Sequence, residues 1–175
     1  MPKSKWGIRM KYKIEEMESS DLEEVNNIYV EGIKTGLATF QTEAPTWENW
    51  DKSHLQSCRL VARSESSILG WVALSPTSSR SCYAGVVEVS IYIGEKYKGQ
   101  GIGKSLLTSI IKQSEENGIW TLYCAIIREN IGSIVLHRKC GFREIGIREK
   151  IAKMSNEAWH DVVLMERRSK VVGID

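Results

Sequence analysis

Residues 86–105, VVEVSIYIGEKYKGQGIGKS, constrain this chain more than any other stretch. Up to Ile93 the pattern has period two: Val87, Val89, Ile91 and Ile93 point one way, and Glu88, Ser90 and Tyr92 the other. That is a half-buried strand with one carboxylate on its polar face. Glycines follow at 99, 101 and 103, and then Ile102, Leu106, Leu107, Ile110 and Ile111 recur at helical spacing. Strand, glycine loop and helix in this order build an anion site. Glycine lets the backbone come close, and the unpaired N–H groups and positive dipole end of the helix favour a phosphate. The expectation is a phosphorylated ligand; the alternative is a glycine turn that binds nothing, because short motifs recur by chance.

Two nucleotide loops are excluded on spacing. The phosphate loop of nucleotide triphosphatases needs a glycine five residues before Gly103-Lys104-Ser105, and Lys98 stands there. The dinucleotide fingerprint needs glycine at 99, 101 and 104, and position 104 is lysine. The wider composition narrows the class further. A chain of 175 residues, 42% hydrophobic and 26% charged, predicts one globular domain over 11–168 with loose tails at 1–10 and 169–175. A net charge of +2 is too small to argue for nucleic acid or an anionic membrane as partner. Cys58, Cys82, Cys124 and Cys140 have no CxxC spacing, so reduced, buried thiols and no metal site are expected. No run of eighteen apolar residues and no apolar signal core occur, which predicts a cytoplasmic protein.

Taken in order, Tyr12 to Met17 reads as a strand, and Ser20-Asp-Leu-Glu23 as a capping box opening a helix with Leu22, Val25, Ile28, Tyr29 and Ile33 inward. A loop of unusual chemistry, GLATFQTEAPTW, leads to a second helix with Thr46 as N-cap and Trp47, Trp50, His54 and Leu55 on one face. His54 is read as a helix-face residue of no special role. Arg59–Arg63 and Ile68–Leu74 form a predicted hairpin that Pro76 ends. After the central strand and its helix, Asn117-Gly118 is a C-cap. A strand over Trp120–Ile127, a helix over Asn130–Lys139 stopped by Gly141, and strands Phe142–Arg148 and Trp159–Arg167 complete the chain. The pattern β-α-α-β-β-β-α-β-α-β-β predicts an α+β domain, a mixed sheet with helices on both faces.

Asn130, Ser133 and His137 fall on one stripe of the later helix, beside an apolar stripe of Ile131, Ile134 and Val135. NIGSIVLHRKCGF resembles the second coenzyme A motif of the GNAT acetyltransferases. Lys98-Gly-Gln-Gly-Ile-Gly103 resembles their pyrophosphate loop, with lysine where arginine or glutamine is usual. Most of that superfamily has tyrosine where this chain has His137. Histidine there, together with Thr39, Phe40, Thr42, Glu43 and Pro45, with Val87-Glu88-x-Ser90-x-Tyr92 and with Trp159-His160-Asp161-Val162, resembles the phosphinothricin acetyltransferase branch. The matches span residues 39–162 in family order.

The resemblance implies the GNAT fold, a central mixed and mostly antiparallel sheet splayed at the cofactor site, with acetyl-CoA as co-substrate. It implies that backbone groups of Ile91, Tyr92 and Ile93 hold the pantetheine arm. Lys98, Gly99, Gln100, Gly101, Ile102, Gly103 and Lys104 would hold the pyrophosphate, with Asn130 and Ser133 across the cleft. Asn130 as a plain N-cap stays open beside that role. Phe40, Glu43, Arg80 and Tyr83 are implied around the acceptor; arginine suits a carboxylate and an acid suits an ammonium, though Arg80 could equally be a solvated loop residue.

Glu88 is the expected base. A carboxylate facing the cleft can take the ammonium proton directly or through water, provided that burial lifts it from a reference pKa of about 4.3. His137 is read either as the acid for the departing thiolate or as a packed helix histidine. His160 is read as a structural strand residue.

The reading is direct acetyl transfer to the amine of a small amino-acid-like acceptor, phosphinothricin or methionine sulfoximine first, with a homodimer implied by the resemblance. The alternatives are an acetyltransferase for a protein N-terminus or polyamine, and a non-catalytic acyl-CoA sensor.

Overall fold

A bulge between β2 and β3 and a missing stretch of pairing between β4 and β5 shape the sheet around the site. The computed structural model describes residues 11–175, and the expected tail at 1–10 lies outside the described residues. The sheet runs from β1 (Lys13–Glu16) through β2 (Arg59–Arg63), β3 (Ile68–Pro76), β4 (Val86–Ile93), β5 (Thr121–Ile127) and β7 (Trp159–Arg168) to β6 (Arg143–Lys153). Its pairings are antiparallel except β4 with β5, which run parallel. The predicted order of elements and the mixed, mostly antiparallel sheet are both present.

Helices cover both faces, as the alternation in the strands requires. The α3 helix (Ile102–Glu116) buries Ile102, Leu106, Leu107 and Ile110 against Leu60, Val72, Val87 and Val89. The α4 helix (Ile131–Lys139) adds Ile134 to the same layer. Gly103 permits its approach, since a Cβ there would meet the Leu136 side chain at 2.9 Å. On the other face α1 (Leu22–Lys34) and α2 (Trp47–Ser53) set Val25, Ile28 and Trp50 on Val61, Trp71 and Ala73. Trp71 is fully buried, and its indole N–H donates to the Val25 carbonyl at 3.1 Å, so no polar group is stranded. The bulge between Ala62 and Arg63, opposite Ile68–Gly70, lets Leu69 face α3 while Ile68 and Trp71 both face α1.

Several boundaries differ from the sequence reading. The capping box lies at Glu18 and Asp21, around a 3-10 turn (Ser19–Asp21), and not at Ser20 and Glu23. Asp21 is drawn inward by a two-pronged ion pair with Arg63 of β2, 2.9 Å at both oxygens. The α2 helix stops at Ser53, and His54 is an extended C-cap. Strand β6 runs past Arg148 to Lys153 because Asp161 accepts the Lys150 N–H at 2.9 Å across an irregular turn of the ladder, with Lys150 at φ 44°. The expected loose tail after Arg168 is pinned. Ser169 donates its N–H to the Trp120 carbonyl at 2.8 Å and its hydroxyl to Glu115, and Arg168 donates to the Val172 carbonyl. Among the described residues no helix is long and apolar enough to cross a membrane.

Candidate active site

Strands β4 and β5 pair only from Val86↔Thr121 to Glu88↔Tyr123, although they continue to Ile93 and Ile127. Beyond Glu88 they part. The edge of β4 from Val89 to Ile93 that faces β5 therefore lacks a strand partner, and its backbone groups are open to a ligand. A cavity of about 630 Å³ fills the gap, with walls from both packed layers: Glu88 to Tyr92 of β4, Cys124 to Ile127 of β5, Asn130, Ser133 and His137 of α4, and Trp71. Phe40 and Glu43 of the 36–46 loop close it on one side. After β4 the 3-10 turn Glu95–Tyr97 leads into Gly99 and Gly101, with φ of 75° and 86°. Nothing lies within 4 Å of a Cβ built at either glycine. Gly101 has no side chain to cap α3, so the first helical N–H groups face that open space.

Glu88 and His137 both line the cavity, and burial disfavours the charged form of each. Glu88 has its pKa raised by desolvation alone, with no cation to offset it. His137 is 2% exposed and held below the ordinary histidine range by burial. Its Nδ1 lies 2.8 Å from the Ser133 carbonyl, which can only accept, so the hydrogen sits on Nδ1. Nε2 is left as a lone pair, buried and without a hydrogen-bond partner. The ring stands edge-on to Phe142 at 5.0 Å. Cys124, on the same wall, has its thiol pushed up to about 12 by burial, which leaves almost no thiolate to act as a nucleophile.

A family model described as "Acetyltransferase (GNAT) family" matches residues 22–142. The chain belongs to the GNAT acetyltransferase family. It is 30% identical over 158 residues to the phosphinothricin N-acetyltransferase of Alcaligenes faecalis, covering 84% of this chain and 77% of that one. A GNAT superfamily phosphinothricin acetyltransferase from Sinorhizobium meliloti, solved in complex with AcCoA, superposes with a TM-score of 0.82 at 25% identity over 95% of this chain and 97% of that one. A ribosomal-protein-alanine N-acetyltransferase from Brucella melitensis gives 0.83 at 26% identity over 90% and 99%. GNAT acetyltransferases bind acetyl-CoA, and this cleft fits it: open glycines at the helix start, an unpaired strand edge and an orphaned buried acceptor at His137.

Within this GNAT chain the structure gathers eight of the expected site residues. Glu88, Ile91, Tyr92, Asn130, Ser133, His137, Phe40 and Glu43 all line one cavity, while Ile93 and the 98–104 loop are not on its wall. Lys98 is paired with Glu95, and the Gln100 amide donates to the Lys96 carbonyl, which orders the loop. Arg80 and Tyr83 are not brought in. The guanidinium stacks over the Tyr83 ring at 5.3 Å, Tyr83 is 45% exposed, and neither lines the cavity.

Sequence reasoning missed the aromatic wall behind Tyr92. Tyr92 stacks on Trp71 at 5.0 Å and meets the edge of Tyr29 at 4.8 Å. Trp50 and His54, stacked at 4.0 Å, continue this wall. The available signal was register: an aromatic on Tyr92's polar face needs partners on the neighbouring strand, and Trp71 sits opposite it. A second, apolar cavity of about 290 Å³ between α1 and α2 contains neither Glu88, His137 nor the glycine loop.

Proposed function

We propose that this protein transfers the acetyl group of acetyl-CoA directly to the amine of a small amino-acid-like acceptor, with phosphinothricin and methionine sulfoximine as the leading compounds. The observation that carries this reading is the position of Glu88. Its carboxylate stands where the strands part, raised by burial alone, next to a gap shaped for a thioester. The amine nitrogen attacks the acetyl carbonyl carbon, the C–S bond breaks, and a second proton of that nitrogen passes to the leaving sulfur, so that an amide and the coenzyme thiol result. Glu88 accepts the proton that the ammonium gives up, directly or through water, and its negative charge attracts that ammonium. Backbone N–H groups near Ile91 polarise the carbonyl oxygen. The 98–104 loop and the start of α3 take the pyrophosphate, Lys98 and Lys104 add charge, and Asn130 and Ser133 flank the arm. No cysteine is acylated, in keeping with the Cys124 thiol.

His137 is read here as a hydrogen-bond acceptor toward the reacting groups and not as the acid for the thiolate, since its free nitrogen carries no proton in the neutral ring. Phe40 and Glu43 flank the acceptor, Glu43 beside the ammonium. Arg80 and Tyr83 belong to the acceptor site only if the stacked pair swings inward. Transfer to a protein N-terminus is the second reading, favoured by the likeness to the Brucella enzyme. A roof at Phe40 that crosses the gap favours a small acceptor over a chain.

The protein is further proposed to be a cytoplasmic homodimer. Its four free thiols suit a reducing compartment, and Ile147, Ile151 and Trp159 on the outer hairpin are 48%, 47% and 54% exposed, an apolar edge that a second copy would cover. Coenzyme A release from acetyl-CoA tests the function with a panel: phosphinothricin, methionine sulfoximine, methionine sulfone, ordinary amino acids, a polyamine and a peptide beginning with alanine. Turnover on the first three is expected. Preference for the peptide would replace the acceptor, and tight acetyl-CoA binding without release on any amine would make the protein a sensor.

A further inference from the structure

The 36–46 loop is tied to both arms of the splayed sheet, and one of its ties has no part in the reading above. On the β4 side, Tyr92 donates its hydroxyl hydrogen to the Ala38 carbonyl at 3.4 Å, and the Tyr29 and Thr39 hydroxyls lie 3.3 Å apart. From the β5 side, Asn130 donates from Nδ2 to the Leu37 carbonyl at 3.2 Å. His160 of β7 presents its ring to the edge of Phe40, 6.4 Å between centroids at 62°. His160 is only 14% exposed at its side chain, and its Nδ1 is buried without an aligned hydrogen bond. That nitrogen lies 3.3 Å from Oε1 of Glu129, the residue before Asn130. His160 is not on the cavity wall; it stands behind Phe40, which is.

We propose that His160, oriented by Glu129, is a positioning residue that clamps Phe40 across the open end of the gap and so sets acceptor affinity. The physical case is one of reach. Phe40 belongs to a loop that leaves α1 on the β4 arm, yet the ring set edge-to-face against it, His160, comes from the β5–β7 arm. An edge-to-face aromatic contact adds a modest gain beyond burial, enough to order a short loop residue though not to hold the fold. A loop that must admit and release an acceptor needs a tie of that size. Glu129 orients the ring, because its Oε1 lies 3.3 Å from the buried Nδ1.

The inference rests on the acetyltransferase reading for its kinetic arm but not for its structural arm. In His160→Ala, hydrogen exchange at amides 38–43 is expected to speed up tenfold or more, with exchange in α3 unchanged. On whichever amine the wild type acetylates, the acceptor KM is expected to rise fivefold or more, while kcat and the acetyl-CoA KM stay within twofold. His160→Phe, which keeps a ring edge under Phe40, should recover most of the exchange protection and most of the KM. Glu129→Gln should shift both quantities the same way by less. Unchanged exchange in a folded His160→Ala protein overturns the clamp whether or not any amine is acetylated. Faster exchange with an unchanged acceptor KM overturns the positioning role. A wild type that acetylates nothing removes the reading of function, and the exchange result then decides the clamp alone.

Discussion

Glu88 and Gly101 show how little a single residue needs in order to be decisive. Glu88 is an ordinary strand position made unusual by where pairing ends: one residue earlier or later, at Val87 or Val89, the side chain enters the core packed under α3. Glu88→Gln keeps the size and the hydrogen-bonding shape but cannot take a proton at neutral pH. As the proposed base it should lose about 10²–10⁴ in kcat, the usual worth of a positioned general base, with acetyl-CoA affinity nearly unchanged. Raising the pH should restore part of the loss, because more of the acceptor amine is then already deprotonated. Turnover within threefold of wild type at pH 7 would take Glu88 out of the chemistry. Gly101 acts by absence. With φ at 86° and nothing within 4 Å of a built Cβ, Gly101→Val places a branched side chain in the open space proposed for the pyrophosphate and strains the backbone by roughly 1–2 kcal/mol. Calorimetry should show acetyl-CoA binding lost in a protein that still melts cooperatively; retained affinity would move the pyrophosphate elsewhere.

At the level of elements, α4 carries two duties at one residue. Asn130 Oδ1 accepts the Ser133 N–H at 3.2 Å, the N-cap bond, while Nδ2 holds the roof through the Leu37 carbonyl. Two substitutions separate these duties. Asn130→Asp keeps the cap, and its charge suits a helix start, but sets an acceptor against the carbonyl. Asn130→Ala loses both. The Asp variant should melt within about 2 °C of wild type, and the Ala variant lower by the equivalent of about 0.5–2 kcal/mol, where each kcal/mol is worth roughly 2–4 °C. Acceptor KM should rise severalfold in both, and a wild-type value in the Asp variant would sever α4 from the roof. The cap was legible in the sequence because it is local: Asn three residues before Ser133 at the head of an apolar stripe. The roof tie was not, since Leu37 and Asn130 are 93 residues apart and a carbonyl leaves no mark in a sequence. The same division explains the misplaced capping box, where Arg63, 42 residues away, draws Asp21 inward.

The whole molecule is a sheet opened in one place, and what was legible of it follows from that. Strand periods, glycine signals and helix stripes are local and gave the order of elements; the splay arises from two strands diverging after three paired residues, which alternation cannot record. The Arg80–Tyr83 stack likewise depends on how one exposed loop folds on itself. The opening should also leave a thermodynamic signature, because it buries two titratable groups without counter-charges. Glu88 has a folded pKa above its unfolded one, so its neutral form is favoured. Its cost is absent below the ordinary carboxylate range and is imposed as pH rises through the raised value. His137 has a folded pKa below its unfolded one, so its cost is absent above the ordinary histidine range and grows as pH falls through that range. The two therefore act at opposite ends of the pH scale. Melting curves of wild type and Glu88→Gln should lie together at pH 4, where both carry a neutral side chain at position 88. By pH 8 the variant should be the more stable, since only the wild type then holds a desolvated carboxylate, and the stabler protein should be the catalytically poorer one. Curves that run parallel from pH 4 to pH 8 would mean that Glu88 is solvated in solution, and the raised basicity on which the proposed proton transfer depends would go with it.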